Sequence, residues 1–326
     1  MPDNVHPKPS ARARRLVVTA YDLHVHVSPD VVGRSTDDVT LAGRFRDEGM
    51  AGFVLKSHYT PTTERAAVVS RVVPEADVLG AVTLNGSVGG MNPAAVEVAA
   101  RSGARVVWFP TVDAVNQRDS RATDPPGALP PPWAALQNEL AARGIEPPPV
   151  RVLDPGGKVL PEVADVLSVI ARHDMVLATG HLSRTEIRTV VEAASDAGVR
   201  RIIVTHPEFT SQRLPASEQA ELAERGALLE RCFTTPYTGK VSWETMVENI
   251  RIVGPRHSFL SSDLGAPGAP PVEDGLALMA DYLLNAGFTE DEVRTMAVGN
   301  TRWLAAASPD GGIARGNGRS EAAAKP

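Results

Sequence analysis

The sequence predicts a (β/α)8 TIM barrel, because strand-like and helical segments alternate along the 326-residue chain. Eight short apolar runs have the length and composition of buried strands. An open doubly wound sheet is the alternative, but it normally carries a glycine-rich phosphate loop after its first strand. This chain has His24-Val25-His26 at that point. The predicted strands are 16–25, 52–56, 78–84, 105–109, 175–179, 201–204, 227–233 and 258–261.

Helices are placed between most of these strands by apolar periodicity and by start signals. Asn92-Pro93, for example, combines a capping residue with a proline at the first helical turn. The predicted helices are 36–48, 62–72, 93–101, 160–172, 184–197, 217–225, 243–253, 274–286 and 289–298.

The alternation breaks between strands 4 and 5, in an insertion at about 113–160. This stretch is rich in proline, and it contains a predicted helix at 133–143 and a predicted hairpin at 150–160 with its turn at 154–157. Long loops at the C-terminal face of a barrel usually shape the active site. A surface excursion is the alternative. We therefore divide the chain into a flexible tail at 1–15, a barrel domain at 16–307 and a disordered tail at 308–326.

Composition excludes several classes of protein. The net charge of −6 argues against nucleic acid as a partner, and the short cluster of Arg12, Arg14 and Arg15 fits a solvated tail. The single cysteine, Cys232, allows no intrachain disulfide. No apolar run reaches the ~18 residues of a membrane span or resembles a signal peptide. We expect a cytoplasmic homo-oligomer that acts on a small molecule and binds neither nucleic acid nor membrane.

Polar side chains of metal-ligand type follow five of the predicted strands. Two histidines at i and i+2 on a strand point the same way, as His24 and His26 do, and Lys56 and His58 repeat that spacing. Buried imidazoles and carboxylates are costly unless they are paired or bound to metal. Five of the eight histidines fall on one rim, which predicts a metal site there. The set is His24, His26, Lys56, His58, His181, His206 and Asp263.

This ordered set resembles the amidohydrolase superfamily of metal-dependent hydrolases over roughly 16–305. The segment Gly299-Asn300-Thr301-Arg302-Trp303-Leu304 is similar to one that often follows the last strand in that superfamily. Within it, the chain looks closest to an uncharacterised group of unknown function. The resemblance implies a hydrolase that cleaves an amide, lactam, cyclic imide or ester bond of a small molecule through a metal-activated hydroxide. The enzyme class it implies is that of hydrolases acting on C–N bonds other than peptide bonds.

The resemblance also implies roles for the residues. His24 and His26 would share one divalent ion with Asp263, and His181 and His206 would hold a second. Asp263 would act as general base and then general acid. Zinc is the first choice of metal, with manganese, iron and nickel as alternatives, at one or two ions per chain. His58 would either bind metal or donate a hydrogen bond to a developing oxyanion, and we favour the donor role.

One departure from the family pattern concerns the bridging residue. Many binuclear members bridge two ions with a carboxylated lysine or a glutamate from strand 4, but strand 4 here ends in Trp108-Phe109-Pro110-Thr111, and the nearest acid is Asp113. The lysine is Lys56, on strand 2. An ammonium beside two dications is strongly disfavoured. We therefore hypothesise that Lys56 is carbamylated and bridges the ions. The alternative is a lysine that faces a substrate carboxylate or phosphate.

Four further residues are candidates for supporting roles. Asp22 and Glu208 could orient a ligand histidine, and Arg34 and Arg65 could receive a substrate anion. Each could equally be an ordinary polar residue of the rim.

Two other functions share parts of the pattern. A phosphoesterase of the polymerase-and-histidinol-phosphatase (PHP) type also opens with Asp-Leu-His-x-His, but its final motif is usually Asp-x-His, where this chain has Asp263-Leu264-Gly265. A metal-dependent decarboxylase on the same barrel would use one ion and would not need carbamylated Lys56.

Overall fold

The computed structural model describes residues 6–119 and 126–306. In these residues, eight parallel strands lie side by side in chain order. The TIM-barrel prediction is confirmed. The strands are β1 Tyr21–Val25, β2 Gly52–Leu55, β3 Asp77–Thr83, β4 Ala104–Trp108, β5 Val176–Ala178, β6 Arg201–Val204, β7 Ala227–Cys232 and β8 Ser258–Ser261.

The barrel is nearly closed, and its seam lies between β1 and β8. The backbone N–H of Asp263 donates to the carbonyl of His24 at 2.8 Å, and that of His26 donates to Leu264 at 2.9 Å. The Asp22 carboxylate also accepts a hydrogen bond from the backbone of Ser262 at 3.0 Å. These contacts follow the last residue of β8, so the seam is held beside the C-terminal rim of the barrel.

Helices surround the strands and cover their outer faces. In α7, buried valines and leucines recur at helical spacing, and α8 begins with a capping box formed by Ser183 and Glu186. The helices are α1 Ala11–Val17, α2 Asp38–Asp47, α3 Thr63–Val72, α4 Pro93–Arg101, α5 Val115–Asp119, α6 Ala134–Ala142, α7 Pro161–Arg172, α8 Arg184–Asp196, α9 Ala216–Glu224, α10 Thr234–Tyr237, α11 Trp243–Val253, α12 Gly275–Asn285, α13 Glu290–Arg294 and α14 Asn300–Ala305. A π-helical segment, Thr295–Gly299, joins the last two helices.

The barrel interior is filled by apolar side chains up to the level of Trp108. Leu23 packs in this interior, and the next residue, His24, also faces inward, with its ring centroid 4.6 Å from that of Trp108. Pairing between β1 and β2 shifts register between Asp22 and Val25. Such an irregularity redirects side chains along a strand, and here it places His24 directly above the packed interior.

The N-terminal prediction was wrong for residues 11–17, which form α1 instead of a flexible tail and the start of strand 1. Ser10 caps the helix by accepting a hydrogen bond from the Ala13 backbone at 3.1 Å. Ala13, Leu16 and Val17 share one buried face because they are spaced as one side of a helix. Arg14, expected in a solvated tail, forms an ion pair with Asp274. The predicted tail at 308–326 lies outside the described residues.

The insertion between β4 and β5 contains α5 and α6. The predicted hairpin is reduced to a single antiparallel bridge between Leu153 and Val159 around the expected turn, where Asp154 N–H donates to the Lys158 carbonyl at 2.8 Å. Residues 120–125 of the insertion lie outside the described residues. In the part of the chain that is described, no helix is long and apolar enough to span a membrane.

Candidate metal centre

The predicted site residues meet at the C-terminal mouth of the barrel, around a cavity of about 410 Å³. Because the strands are parallel, their carboxyl ends all lie at this mouth. His24 is fully buried below the cavity floor. The predicted residues that line the cavity are His26, Arg34, Lys56, His58, His181, His206 and Asp263.

Asp263 is the carboxylate on which the histidines converge. Its Oδ1 lies 3.0 Å from His24 Nε2 and 3.1 Å from His26 Nε2, and its Oδ2 lies 3.7 Å from His206 Nε2. Thr234 donates a hydrogen bond to Oδ2 at 2.9 Å. Burial alone would raise the pKa of Asp263, but the charges and hydrogen bonds of the histidines outweigh burial and hold this pKa well below its usual range. The carboxylate is therefore ionised at neutral pH.

Two of the converging residues have left-handed backbone conformations. His206 has φ of 45° and Asp263 has φ of 53°, and each lies two residues beyond the end of its strand, β6 and β8 respectively. For residues other than glycine, such conformations cost about 1–3 kcal/mol and are concentrated at functional sites. Both residues leave their strands in a sharp turn, and their side chains meet near the mouth.

Lys56 lies within the same group of donors. Its Nζ is 2.8 Å from His24 Nε2 and 4.3 Å from the centre of the Trp108 ring. Burial lowers the pKa of Lys56, although the nearby Asp263 and Glu230 carboxylates oppose that effect. The side chain thus contacts a predicted ligand, and the carbamylation of Lys56 stays a prediction.

Glu230 belongs to the site and was missed by the sequence analysis. It lies in the middle of β7, fully buried, and its Oε1 accepts a hydrogen bond from His24 Nδ1 at 2.9 Å. Burial alone would raise its pKa, but His24 outweighs burial and lowers it to about 2. The available signal was an acidic residue inside a predicted buried strand, two positions before Cys232. A charge in such a place needs a partner.

Two groups of donor atoms are compact enough to hold an ion. In each group, the donor atoms all lie within 4.8 Å of one another. One group is His24, His26 and Asp263, as predicted. The other lies deeper and comprises His24, His206, Glu230 and Cys232.

Burial keeps most of these imidazoles neutral. It lowers the pKa of His206 to about 4 against the opposing effect of Glu230 and Asp263. Burial also takes the pKa of His26, His58 and His181 well below the usual value, with help from nearby cationic side chains. Neutral imidazole is the form that binds metal.

His58 is held by a chain of hydrogen bonds that was not predicted. Asn85 Oδ1 accepts from the backbone of Thr111 at 2.8 Å, and this fixes the orientation of the amide. Asn85 Nδ2 then donates to Thr111 Oγ1 at 2.7 Å, and that hydroxyl lies 2.9 Å from His58 Nδ1. His58 Nδ1 is the acceptor within reach of the buried hydroxyl, so the ring proton of neutral His58 lies on Nε2.

His181 lies beside this group without joining either compact set. Its ring centroid is 5.9 Å from that of His206 and 6.2 Å from that of His58. His181 Nδ1 is buried and has no hydrogen-bond partner among the described residues. His181 and His206 were predicted to hold a second ion together; their rings are neighbours, but His181 belongs to neither compact group of donors among the described residues.

The two predicted supporting carboxylates have other partners. Asp22 contacts no imidazole; its Oδ1 accepts from the backbone N–H groups of His24 at 3.2 Å and of Ser262. Burial raises the pKa of Asp22 to about 7. Glu208 does not orient a ligand histidine, because it pairs with buried Arg231 and accepts from Asn249 at 3.1 Å.

The two arginines predicted to receive a substrate anion form hydrogen bonds and ion pairs within the protein. Arg65 donates to Asp38 at 3.0 Å and to the carbonyls of Pro29 and Val27, and it does not line the cavity. Arg34 does line the cavity, but its buried guanidinium pairs with Asp30 at 2.7 Å. It also contacts His26 Nδ1 at 3.2 Å. Because arginine is always a donor, this contact places the ring proton of His26 on Nε2, facing Asp263.

The insertion forms a roof over the cavity. Pro130, Pro131, Pro132 and Trp133 line it from this side, and the Trp133 ring centroid lies 6.3 Å from those of His58 and His181. Long loops at this face shape the cavity, as the sequence predicted.

Comparison with known proteins finds one matching family and several solved structures with a similar fold. The model of a family of unknown function (DUF6282) matches residues 19–230. No protein of curated function matches the chain. An amidohydrolase from Pseudomonas aeruginosa has a TM-score of 0.56 at 10% identity, over 90% of this chain and 98% of its own.

Two further solved structures match over nearly their whole length. A putative 2-pyrone-4,6-dicarboxylic acid hydrolase from Pseudomonas putida has a TM-score of 0.52 at 16% identity, covering 88% of this chain and 97% of its own. A probable dipeptidase from Pseudomonas aeruginosa has a TM-score of 0.54 at 12% identity, covering 90% and 96%. These likenesses confirm the predicted resemblance to amidohydrolase-superfamily barrels at the level of the fold.

Proposed function

Because the chain belongs to the DUF6282 family of unknown function, we propose its activity from the site itself. The protein is a metal-dependent hydrolase that cleaves an amide, lactam, cyclic imide or ester bond of a small molecule. One observation carries this proposal: His24 Nε2 and His206 Nε2 face the two oxygens of one ionised carboxylate, Asp263, beside the cavity at the mouth of the barrel.

The donor set fits a divalent ion. Two imidazoles and a carboxylate are ligands that zinc accepts, and manganese, iron and nickel are alternatives. Burial alone would lower the pKa of His24, but Asp263 and Glu230 outweigh burial and raise it, so an ion at His24 Nε2 would replace the ring proton that faces Asp263. His206 would offer its Nε2, and His26 would join when its ring gives up the Arg34 contact. An ion held by these residues would act as a Lewis acid and lower the pKa of water toward about 7.

Side chains of the site would supply proton transfer and hydrogen-bond donation. Asp263 is ionised and lies at the cavity floor, so it can take a proton from water and later return it to the leaving group. Thr234 and His26 hold its two oxygens in place. His58 lines the same cavity and carries its ring proton on Nε2, which suits a donor to the oxygen of a polarised carbonyl.

Lys56 is proposed to be carbamylated and to bridge a second ion. In that reaction, the neutral amine nitrogen forms a bond to the carbon of CO₂ and loses one proton, giving an anionic carbamate. Burial supports the neutral amine by lowering the pKa of Lys56. Intact mass measured at neutral pH, with and without CO₂, tests the modification. Metal content of Lys56→Ala tests the bridge, and two ions retained in that variant would contradict it.

The size of the cavity supports a small molecule as the substrate. Its volume of about 410 Å³ is within the usual range for small-ligand sites. Trp133, Phe209 and Tyr237 give it aromatic walls around the polar floor. A compact substrate that carries a cyclic or aromatic group fits these walls.

Metal analysis and a substrate panel test the proposal together. We expect the purified protein to contain one or two divalent ions per chain and to hydrolyse esters, lactams or hydantoins. Asp263→Asn should lower kcat by about 10²–10⁴, the usual contribution of a general acid–base. His257→Asn is the control, because His257 is exposed at the opposite end of β8.

Other outcomes of the panel would replace the proposal. Turnover of p-nitrophenyl phosphate alone would indicate a PHP-type phosphoesterase, and release of CO₂ without hydrolysis would indicate a decarboxylase. A protein that binds no divalent ion after reconstitution would contradict the metal centre.

A further inference from the structure

The two oxygens of Glu230 are directed toward two different histidines. Oε1 accepts hydrogen bonds from His24 Nδ1 at 2.9 Å and from Ser261 Oγ at 3.0 Å. Oε2 lies 3.9 Å from His206 Nδ1. Neither Glu230 Oε2 nor His206 Nδ1 has a hydrogen-bond partner among residues 6–119 and 126–306. A buried carboxylate oxygen and a buried ring nitrogen therefore face each other, slightly beyond hydrogen-bond distance.

Asp263 lies on the opposite side of the same two rings. Its Oδ1 faces His24 Nε2, and its Oδ2 faces His206 Nε2. Each imidazole thus has Nε2 toward the mouth and Nδ1 toward the carboxylate of Glu230. The two rings lie close together, with centroids 5.1 Å apart.

We propose that Glu230 is a positioning residue for both His24 and His206, an inference that rests on the proposed metal-dependent function. As an ionised acceptor, Glu230 holds the proton of each ring on Nδ1. Both Nε2 lone pairs then face the mouth, where the ion is bound. A carboxylate that orients a ligand histidine is a common support of metal sites. Here a single carboxylate from β7 serves two ligands from β1 and β6.

A deeper ion position is the competing arrangement. Cys232 Sγ lies 3.7 Å from His24 Nδ1, and both belong to the compact group that also includes His206 and Glu230. An ion bound there would need the Nδ1 lone pair of His24. That nitrogen is already engaged with Glu230 at 2.9 Å, so the hydrogen bond favours orientation over direct binding.

Zinc affinity of Glu230→Gln tests the proposal. Glutamine keeps the size of the side chain, but its amide offers an acceptor to one histidine and a donor to the other. The donor forces the second ring to carry its proton on Nε2, which removes a lone pair from the site. We expect zinc to bind 10- to 100-fold more weakly, as is typical when an orienting partner is lost. Zinc binding with wild-type affinity would overturn the proposal.

Cys232→Ser is the matched control on the same strand. Both residues are buried and near His24, but only Glu230 holds the ring proton. We expect Cys232→Ser to bind zinc with wild-type affinity, and the cobalt-loaded wild-type protein to show no thiolate charge-transfer band. Lost affinity together with such a band in the wild type would place the ion against Cys232 and overturn the proposal.

Nitrogen-15 NMR of the histidine rings separates this inference from the proposed function. In metal-free wild-type protein, at a pH high enough for both rings to be neutral, His24 and His206 should carry their protons on Nδ1, and Glu230→Gln should move one of them to Nε2. If these tautomers are found but no ion binds, the positioning role stands and the metal-dependent function fails. If the tautomers do not respond to Glu230→Gln, the positioning role fails whether or not the protein binds metal.

Discussion

The ring proton of His58 is fixed by residues that never reach the cavity floor. Asn85 and Thr111 form a short chain of hydrogen bonds that ends at His58 Nδ1. This chain leaves Nε2–H as the group that His58 offers to a ligand. The chemistry of His58 therefore depends on a hydroxyl that lies behind its ring.

Thr111→Val should lower kcat by about tenfold, less than the 10²–10³ lost when an oxyanion donor is removed outright. Valine keeps the shape of threonine but cannot hydrogen-bond to His58, so both tautomers of the ring become populated. Steady-state kinetics on the substrate found by the panel would measure the effect. Thr111→Ser restores the hydroxyl and should retain activity, and metal content should be the same in all three proteins.

Gly180, which precedes His181, has a backbone conformation that requires glycine. Its φ is 62°, and a Cβ placed there would lie 2.3 Å from the carbonyl oxygen of Phe109. Gly180→Ala should lower the free energy of unfolding by more than about 3 kcal/mol, since both strain and a backbone clash contribute.

Gly103→Ala is the control for that substitution. Gly103 also has positive φ, at 94°, but a Cβ there meets nothing within 4 Å. It should cost only the strain of about 1–3 kcal/mol. Equal losses in the two variants, measured by urea denaturation, would show that the clash at Gly180 is relieved by movement of the backbone.

Residue spacing revealed the histidines and Lys56 because strand alternation and parallel strand ends are visible in the sequence. Of the two roles left open for Glu208, the sequence could not choose, because proximity to a strand end does not tell on which side of the barrel a side chain lies. Glu230 was missed for a related reason. Its partners come from strands far away in the sequence, and only the closed barrel brings them together.

At the level of elements, Asp174 links the starts of three strands, β4, β5 and β6. Asp174 precedes β5, and its carboxylate pairs with Arg200 and Arg201 at the start of β6. Its carbonyl also accepts from Arg105 of β4 at 2.9 Å. Burial alone would raise the pKa of Asp174, but the arginines outweigh burial and lower it.

Stability should therefore depend on pH through Asp174. A carboxyl group whose pKa is lower in the folded state stabilises the fold above its unfolded pKa, and this contribution is lost as pH falls through the folded value. Asp174→Asn should be less stable than wild type by about 1–2 kcal/mol at neutral pH. Asparagine tolerates the positive φ of this position, 49°.

Urea denaturation of both proteins between about pH 7 and pH 3 provides the measurement. The difference in stability should shrink at the acid end, where wild-type Asp174 becomes protonated. A difference that is the same at every pH would show that the charge of Asp174 contributes nothing.

Most elements of the barrel were predicted within one or two residues of their bounds, because apolar periodicity and capping residues are local signals. The exceptions have physical reasons. α1 was assigned to a tail because its charged residues concealed a buried face of only Ala13, Leu16 and Val17. α5, α10 and α14 were missed because helices of four to six residues have too few positions for periodicity to be seen.

For the whole molecule, the seam of the barrel and the candidate metal centre involve the same two strands. His24 and His26 come from β1, and Asp263 follows β8. An ion bound by residues of both strands would therefore join the edges of the sheet as well as form the site. Metal binding should stabilise the entire fold.

Zinc at a hundredfold excess over its Kd should raise the free energy of unfolding by about 2.7 kcal/mol, if it binds only the folded state. Thermal or urea unfolding in zinc and in chelator would measure the difference. His24→Asn should remove the zinc dependence, whereas His257→Asn should retain it. If the free energy of unfolding of the wild-type protein is the same in zinc and in chelator, no metal is bound across the seam.

The roof formed by residues 130–133 and the candidate site residues come from different parts of the chain. The candidate site residues come from strands spread over the whole chain, whereas much of the cavity's apolar wall comes from one contiguous insertion. If the protein is the hydrolase proposed above, substitutions within that insertion would change which molecules enter the cavity and leave the proposed catalytic residues in place. New substrates could then be acquired through changes in residues 130–133 alone.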